Sequence, residues 1–166
     1  MLTLFAASGR PAGAGGLVQF GESYISLCSP TNKAGEGRLM GSAVKNSSNQ
    51  SIFLTGIRLD NARNLTLVRS AFTPFENDQS LVSAYDGTMQ GAETLTLAPD
   101  QWVQLEVVLK NNDVSEPGTA ASLIVEGRDK RGRAIEVSVC AGHVIPPAAA
   151  LAVTNQQARR QTLATS

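Results

Sequence analysis

One histidine, one tryptophan and two cysteines occur in 166 residues, and aromatic residues make up only 5% of the chain. Each shortage closes a class of chemistry. With a single imidazole, any Ser–His–Asp or Cys–His system must be built on His143. A structural zinc site takes four ligands, and the Cys/His inventory stops at Cys28, Cys140 and His143. Two cysteines are too few for a disulfide-dense miniprotein. Charge of one sign is missing as well, because 14 Lys and Arg balance 14 Asp and Glu. A neutral chain has no long-range field to steer it toward phosphate backbones or anionic lipid, so nucleic acid is not an expected partner. No stretch approaches the roughly 20 consecutive apolar residues that span a bilayer, which excludes an internal membrane helix by length.

What is present fits one domain. Hydrophobic residues make up 42% of the chain and charged residues 17%, and a chain of this length buries roughly 70% of its unfolded surface if all of it folds. The ends look different from the middle. Met1–Ala7 (MLTLFAA) is apolar and runs into the Gly/Pro-rich stretch Ser8–Gly16, in the manner of an export signal and its cleavage zone. No Lys or Arg precedes it, so a frayed N-terminus in a cytoplasmic protein is the competing reading. Residues 1–22 are therefore expected to be a flexible or export-related segment, 23–145 the folded domain, and 146–166 a weakly helical tail beyond Pro146-Pro147, its apolar face too thin to dock firmly.

Between the ends, apolar and polar residues alternate with period two, interrupted by turn residues. In Trp102–Lys110, Val103, Leu105, Val107 and Leu109 share one face and Gln104, Glu106 and Lys110 the other, the pattern of a half-buried strand. Arg133–Val139 repeats it, and the continuous apolar run in Ala120–Glu126 predicts a strand covered on both faces. Further strands are expected at Ser23–Cys28, Leu39–Lys45, Ile52–Leu59, Asn64–Ser70, Leu81–Tyr85 and Glu93–Leu97. Two tight hairpins are expected, at Asp60–Arg63 and Arg128–Gly132. No apolar face of helical period lasts ten residues.

The order Ser51–Leu59, Asn64–Ser70, then Leu95-Thr96-Leu97-Ala98-Pro99-Asp100-Gln101 feeding Trp102–Leu109, resembles secreted bacterial immunoglobulin-like modules across Leu39 to Val139. The resemblance implies an antiparallel β-sandwich that is exported or surface-associated and works as a binding or structural module. It departs from antibody domains, because Trp102 has no flanking cysteine pair, and it carries no functional residue across.

Candidate sites come from the residues themselves. Arg128, Lys130, Arg131 and Arg133 gather around one hairpin tip, where they could dock phosphate, a sulfated glycan or an anionic cell-surface polymer. Trp102 falls on the polar face of its strand, where an indole can meet a sugar ring or a protein partner; Phe53, Phe72, Phe75 and Tyr85 are the other candidate contact aromatics. The pair Ala71–Asn77 and Phe72/Phe75 reads as a loop with two rings around a proline. Cys140-Ala141-Gly142-His143, with Cys28, is the alternative metal or redox site for zinc or copper. Cys28 and Cys140 are also a candidate disulfide, worth roughly 4–5 kcal/mol for so long a loop. Glu76 with Asp78 and Asp113 with Glu116 are the carboxylate pairs, on loops polar enough to read as solvated acids. No nucleophile elbow or phosphate loop is present, so no enzyme and no cofactor are expected. Asn46, Asn49 and Asn64 each begin an Asn-x-Ser/Thr triplet.

Overall fold

A computed structural model describes residues 16–20, 31–74, 81–113, 115–116 and 118–140. These residues form nine strands: β1 (Leu17–Phe20), β2 (Glu36–Asn46), β3 (Ile52–Asp60), β4 (Leu65–Pro74), β5 (Leu81–Ala84), β6 (Leu95–Leu97), β7 (Trp102–Asn111), β8 (Ser122–Arg128) and β9 (Ala134–Cys140). All pairings are antiparallel. One sheet runs β1-β2-β7-β4, with β5 pairing the same edge of β2 as β1 but further along it; the other runs β6-β3-β8-β9. The two sheets pack face to face as an immunoglobulin-like β-sandwich, as the alternation predicts.

The core lies between them. Val103, Leu105, Val107 and Leu109 of β7 meet Leu54, Ile57, Leu123 and Val125 of the second sheet, with Val44, Leu65, Phe72, Leu97 and Val139 closing the layer. Burying each Leu- or Val-sized side chain stabilises by roughly 1.5–3 kcal/mol before ordering entropy is subtracted.

Three bulges decide which residues face that layer. They lie between Gly41 and Ala43 in β2, Leu54 and Gly56 in β3, and Leu67 and Arg69 in β4. Each inserts one residue and inverts the inward parity of the strand beyond it. In β4, Leu65 and Leu67 face the core before the bulge; after it Phe72 does, opposite Leu105. The segment Ala71–Pro74, expected to be a loop, is therefore the second half of β4, and Phe72 is a core side chain. Phe75 lies outside the described residues.

Two further expectations change. Asp60–Arg63 is not a hairpin, because β3 and β4 belong to different sheets and the turn carries the chain across the sandwich. Asn61 does adopt positive φ there, as turn chemistry requires. Turn residues announce a reversal without saying which sheet receives the next strand. At the N-terminal side, Leu17–Phe20 of the segment expected to precede the domain is a strand hydrogen-bonded to β2. The predicted strand Ser23–Cys28 and the tail 146–166 lie outside the described residues.

Strand β7 is the third departure. Gln104, Glu106 and Val108 on its outer face are as buried as the core-facing stripe. The cover is the connection from β5 to β6. It leaves the β2 edge at Tyr85 and places the Gln90 and Gly91 amides on Glu106. It then pairs Ala92 with Phe72 of β4, at the opposite edge of the sheet. A strap thus crosses the outer face, and alternation alone cannot foresee it.

Candidate binding surface at the basic hairpin

The β8–β9 hairpin forms as its sequence predicts. Arg128 pairs with Ala134, the Asp129 amide donates to the Arg133 carbonyl, and the Gly132 amide donates to the Asp129 carbonyl. Gly132 takes φ +78°, the left-handed conformation that closes a type I turn with a bulge. Asp129 organises the tip. Its Oδ1 accepts the amides of Arg131 and Arg133 at 2.8 and 2.9 Å, and its Oδ2 accepts Arg133 Nε at 2.6 Å. The Arg133 amide bond, helped by the guanidinium and the Arg131 amide, holds the Asp129 carboxyl below the usual aspartate range. Its side chain is only 13% exposed.

One acid thereby fixes the loop while leaving most of the charge outward. Arg128 spends one Nη1 hydrogen bond on the Gly132 carbonyl, and Arg133 is held by Asp129. Among the described residues, the side chains of Lys130 and Arg131 make no hydrogen bond or ion pair.

Facing the hairpin is the β2–β3 turn, which is held from below. Asn46, fully buried, donates through Nδ2 to the carbonyls of Gln50 and Leu97 and accepts the Ser48 amide and hydroxyl on Oδ1. Its amide group thus ties the turn to β6, and every hydrogen-bonding position on it is used. Two grooves open between this turn and the hairpin. One, about 390 Å³, is lined by Ser47–Ile52, Asp129, Arg131 and Arg133. The other, about 450 Å³, is lined by Asn49, Gln50, Ser51, Phe53, Thr96, Arg128, Asp129 and Lys130. Asn49, Gln50, Ser51 and Asp129 belong to both, so the grooves are two sides of one surface.

The structure brings the four hairpin cations together and adds partners that sequence reasoning did not supply: the polar turn 47–51 and Thr96. Phe53, one of five candidate aromatics, is 45% exposed and lies directly across from Arg128 in the sheet register. Trp102 is half-buried at the start of β7, opposite Lys45, in the other sheet, and lines neither groove. Cys140 ends β9 opposite Ser122. Cys28 and His143, and with them the proposed disulfide and metal site, lie outside the described residues. Among the described residues no group of three His, Cys, Asp or Glu is placed to hold a metal ion. No helix there is long and apolar enough to cross a membrane.

The remaining sequence candidates are accounted for by local structure. Asp113 accepts the Ser115 hydroxyl and amide, which lower its carboxyl below the usual range, and it makes no contact with Glu116 through its carboxylate. The Asn64 side chain bonds Asn111, the Asp113 backbone and the Glu116 carbonyl, and Asn46 is buried, so of the three Asn-x-Ser/Thr asparagines Asn49 alone has a side chain unengaged among the described residues. Glu76 and Asp78 lie outside the described residues.

No protein-family model matches the chain, and no curated protein matches it. Among solved structures, the ASH / PapD-like domain of human CEP192 (PapD-like domain 7) aligns over 86% of this chain and 96% of its own, with 8% identity and a TM-score of 0.37. At that identity and TM-score no residue role passes across the likeness.

Proposed function

We propose that this protein is a non-catalytic binding module, exported or surface-associated, whose working surface is the sandwich end carrying the β8–β9 hairpin. The observation that carries the reading is the pair of grooves flanking Arg128, Lys130, Arg131 and Arg133, with Lys130 and Arg131 uncommitted among the described residues. A hairpin pinned by Asp129 holds these cations without consuming them all, which lowers the ordering cost of meeting an anionic partner. Neutral overall charge supports a short-range, contact-based recognition of a phosphate-, sulfate- or carboxylate-bearing polymer. Trp102, at the same end of the neighbouring sheet, is a candidate outer contact for a protein or glycan partner.

The test is a binding screen of the full chain against anionic cell-wall polymers and sulfated glycans. Binding that falls at least tenfold in Arg131→Ala combined with Lys130→Ala, at unchanged melting temperature, supports the reading. Binding retained in that variant and in Trp102→Ala refutes this choice of surface. Fractionation of cells making the full chain tests the location: recovery wholly in the cytoplasm would remove the exported reading.

A further inference from the structure

The groove on the Phe53 side of the hairpin differs in kind from a simple cation patch. Phe53 is one of two large hydrophobic side chains exposed among the described residues, and it stands at a strand position, held by pairing to Thr96 on one side and Arg128 on the other. A phenyl ring at a fixed strand position costs little entropy to use as a stacking platform. Around it lie Asn49, Gln50, Ser51 and Thr96, and none of these four side chains makes a hydrogen bond among the described residues. By contrast, the turn amides of Asn32, Asn46 and Asn64 are spent on the backbone. Here they are left available. Lys130 and Arg128 close the groove on the hairpin side.

We infer that this groove is a subsite for one acidic pyranose unit of a polysaccharide, with the sugar ring on Phe53, its hydroxyls on Asn49, Gln50, Ser51 and Thr96, and its anionic group toward Lys130 and Arg128. The inference rests on the binding-module reading above and narrows its ligand to a sugar carrying a carboxylate or sulfate. Hydroxylated ligands need both donors and acceptors, which amide and hydroxyl side chains supply together. A ring bearing C–H groups packs on an aromatic face, and a charged substituent is recognised by cations at the rim. The neighbouring groove, sharing Asn49, Gln50 and Ser51 and offering Arg131 and Arg133, extends the same surface for a further residue of the chain. Single-stranded nucleic acid would ask for several stacked rings along a basic track. Among the described residues Phe53 is the only aromatic lining either groove, so a polysaccharide is the better match.

The experiment compares the full chain and its variants by calorimetry or surface binding on four probes: polygalacturonate, dextran sulfate, unmodified dextran and a thymidine oligomer. Binding of either acidic polysaccharide, with unmodified dextran at least tenfold weaker, is the expected pattern; the first two arms separate carboxylate from sulfate. Phe53→Ala should weaken the acidic polysaccharide roughly tenfold, as loss of one stacking contact implies. Phe53→Tyr should restore it, and thermal melts check that both variants fold. Lys130→Gln with Arg128→Gln should erase the preference for the acidic over the neutral polymer. If an acidic polymer binds through Arg131 and Lys130 with Phe53→Ala unchanged, the ring subsite is refuted while the binding-module reading stands. If none of the four probes binds, the ring subsite is refuted, and the binding-module reading is decided by the cell-wall polymer screen above. A thymidine oligomer binding as tightly as the polysaccharides overturns the sugar assignment.

Discussion

Two Arg–Glu pairs on the outer faces of the two sheets show how differently the same chemistry can be used. Arg38–Glu106, on the first sheet, is buried, with Nε to Oε1 at 2.6 Å. Arg58–Glu126, on the second, is open to solvent, at 2.8 Å. Glu106 has no exposed surface and accepts five hydrogen bonds from four donors: Arg38, Thr73 Oγ1, and the amides of Gln90 and Gly91, the first of these amides reaching both oxygens. Among the described residues, Arg38 Nη2 has no hydrogen-bond partner. Arg58 instead bridges Glu126 and Glu136, which stand directly opposite each other on β8 and β9. Two like charges so placed repel, and the guanidinium between them removes the conflict. The first pair anchors a strap over a sheet; the second tidies a surface. Burial, set by whether a strap crosses the sheet, decides which role a pair has.

The contrast can be broken at its strongest point first. Glu106→Ala should cost about 3–5 kcal/mol, because it leaves Arg38 buried without its counter-charge and the strap amides without an acceptor. Urea denaturation measures it, and a loss below about 1 kcal/mol would show that the pair is not buried in solution. Replacing both partners, as Arg38→Met with Glu106→Leu, should not recover stability, since Gln90, Gly91 and Thr73 still lose their acceptor.

Next comes the strap itself. A methyl group on Gly91 would sit 2.6 Å from the Phe72 carbonyl oxygen, so Gly91→Ala must push the strap off β4. A loss of about 1–3 kcal/mol is expected, with faster hydrogen exchange at the Ala92 and Gln90 amides while β8 stays protected. Asn46→Ala comes third. It removes the link between the β2–β3 turn and β6 and should cost about 1–3 kcal/mol, read as a melting-temperature drop together with weaker ligand binding at the grooves.

The exposed pair should barely register. Arg58→Ala is expected to lower the melting temperature only slightly at physiological salt, through the freed repulsion of Glu126 and Glu136, since exposed charges are screened and exposed pairs are entropically costly to hold. A large drop would mean that the second sheet's outer face is covered in solution. The smallest effect concerns pH at the hairpin. Asp129 has its carboxyl lowered in the folded state, so its contribution is fully present above the unfolded aspartate value of about 3.9 and is lost as pH falls through the folded value. Carboxyl NMR should therefore give Asp129 a midpoint below 3.9, with the Arg131 and Arg133 amide signals shifting in the same step.

Much of this was legible in residues alone. Period-two alternation locates the strands from β2 to β9 to within a few residues. In β3 even the bulge is visible, because the apolar spacing Ile52, Leu54, Ile57, Leu59 slips by one. The hairpin was legible too, since Asp129 and Gly132 carry turn chemistry in their side chain and backbone freedom. The grooves were not. Their second wall comes from residues some eighty positions earlier, and nothing local in Asn49-Gln50-Ser51 says that it faces Lys130. Likewise Glu106 reads as a solvated polar residue in an alternating strand, because the strap that buries it comes from a distant segment.

Sequence by itself determined a domain of period-two strands, with turn residues in place, one basic hairpin, and a supply of one histidine and two cysteines. Backbone conformation and hydrophobic patterning act over a few residues, so they can be read there. Only the tertiary structure decided that the Asp60–Arg63 turn crosses between sheets, that a strap buries one Arg–Glu pair while the other stays wet, and that Phe53 stands beside the hairpin cations. Those depend on contacts between residues far apart in the chain, where packing and desolvation, not local preference, choose the neighbour.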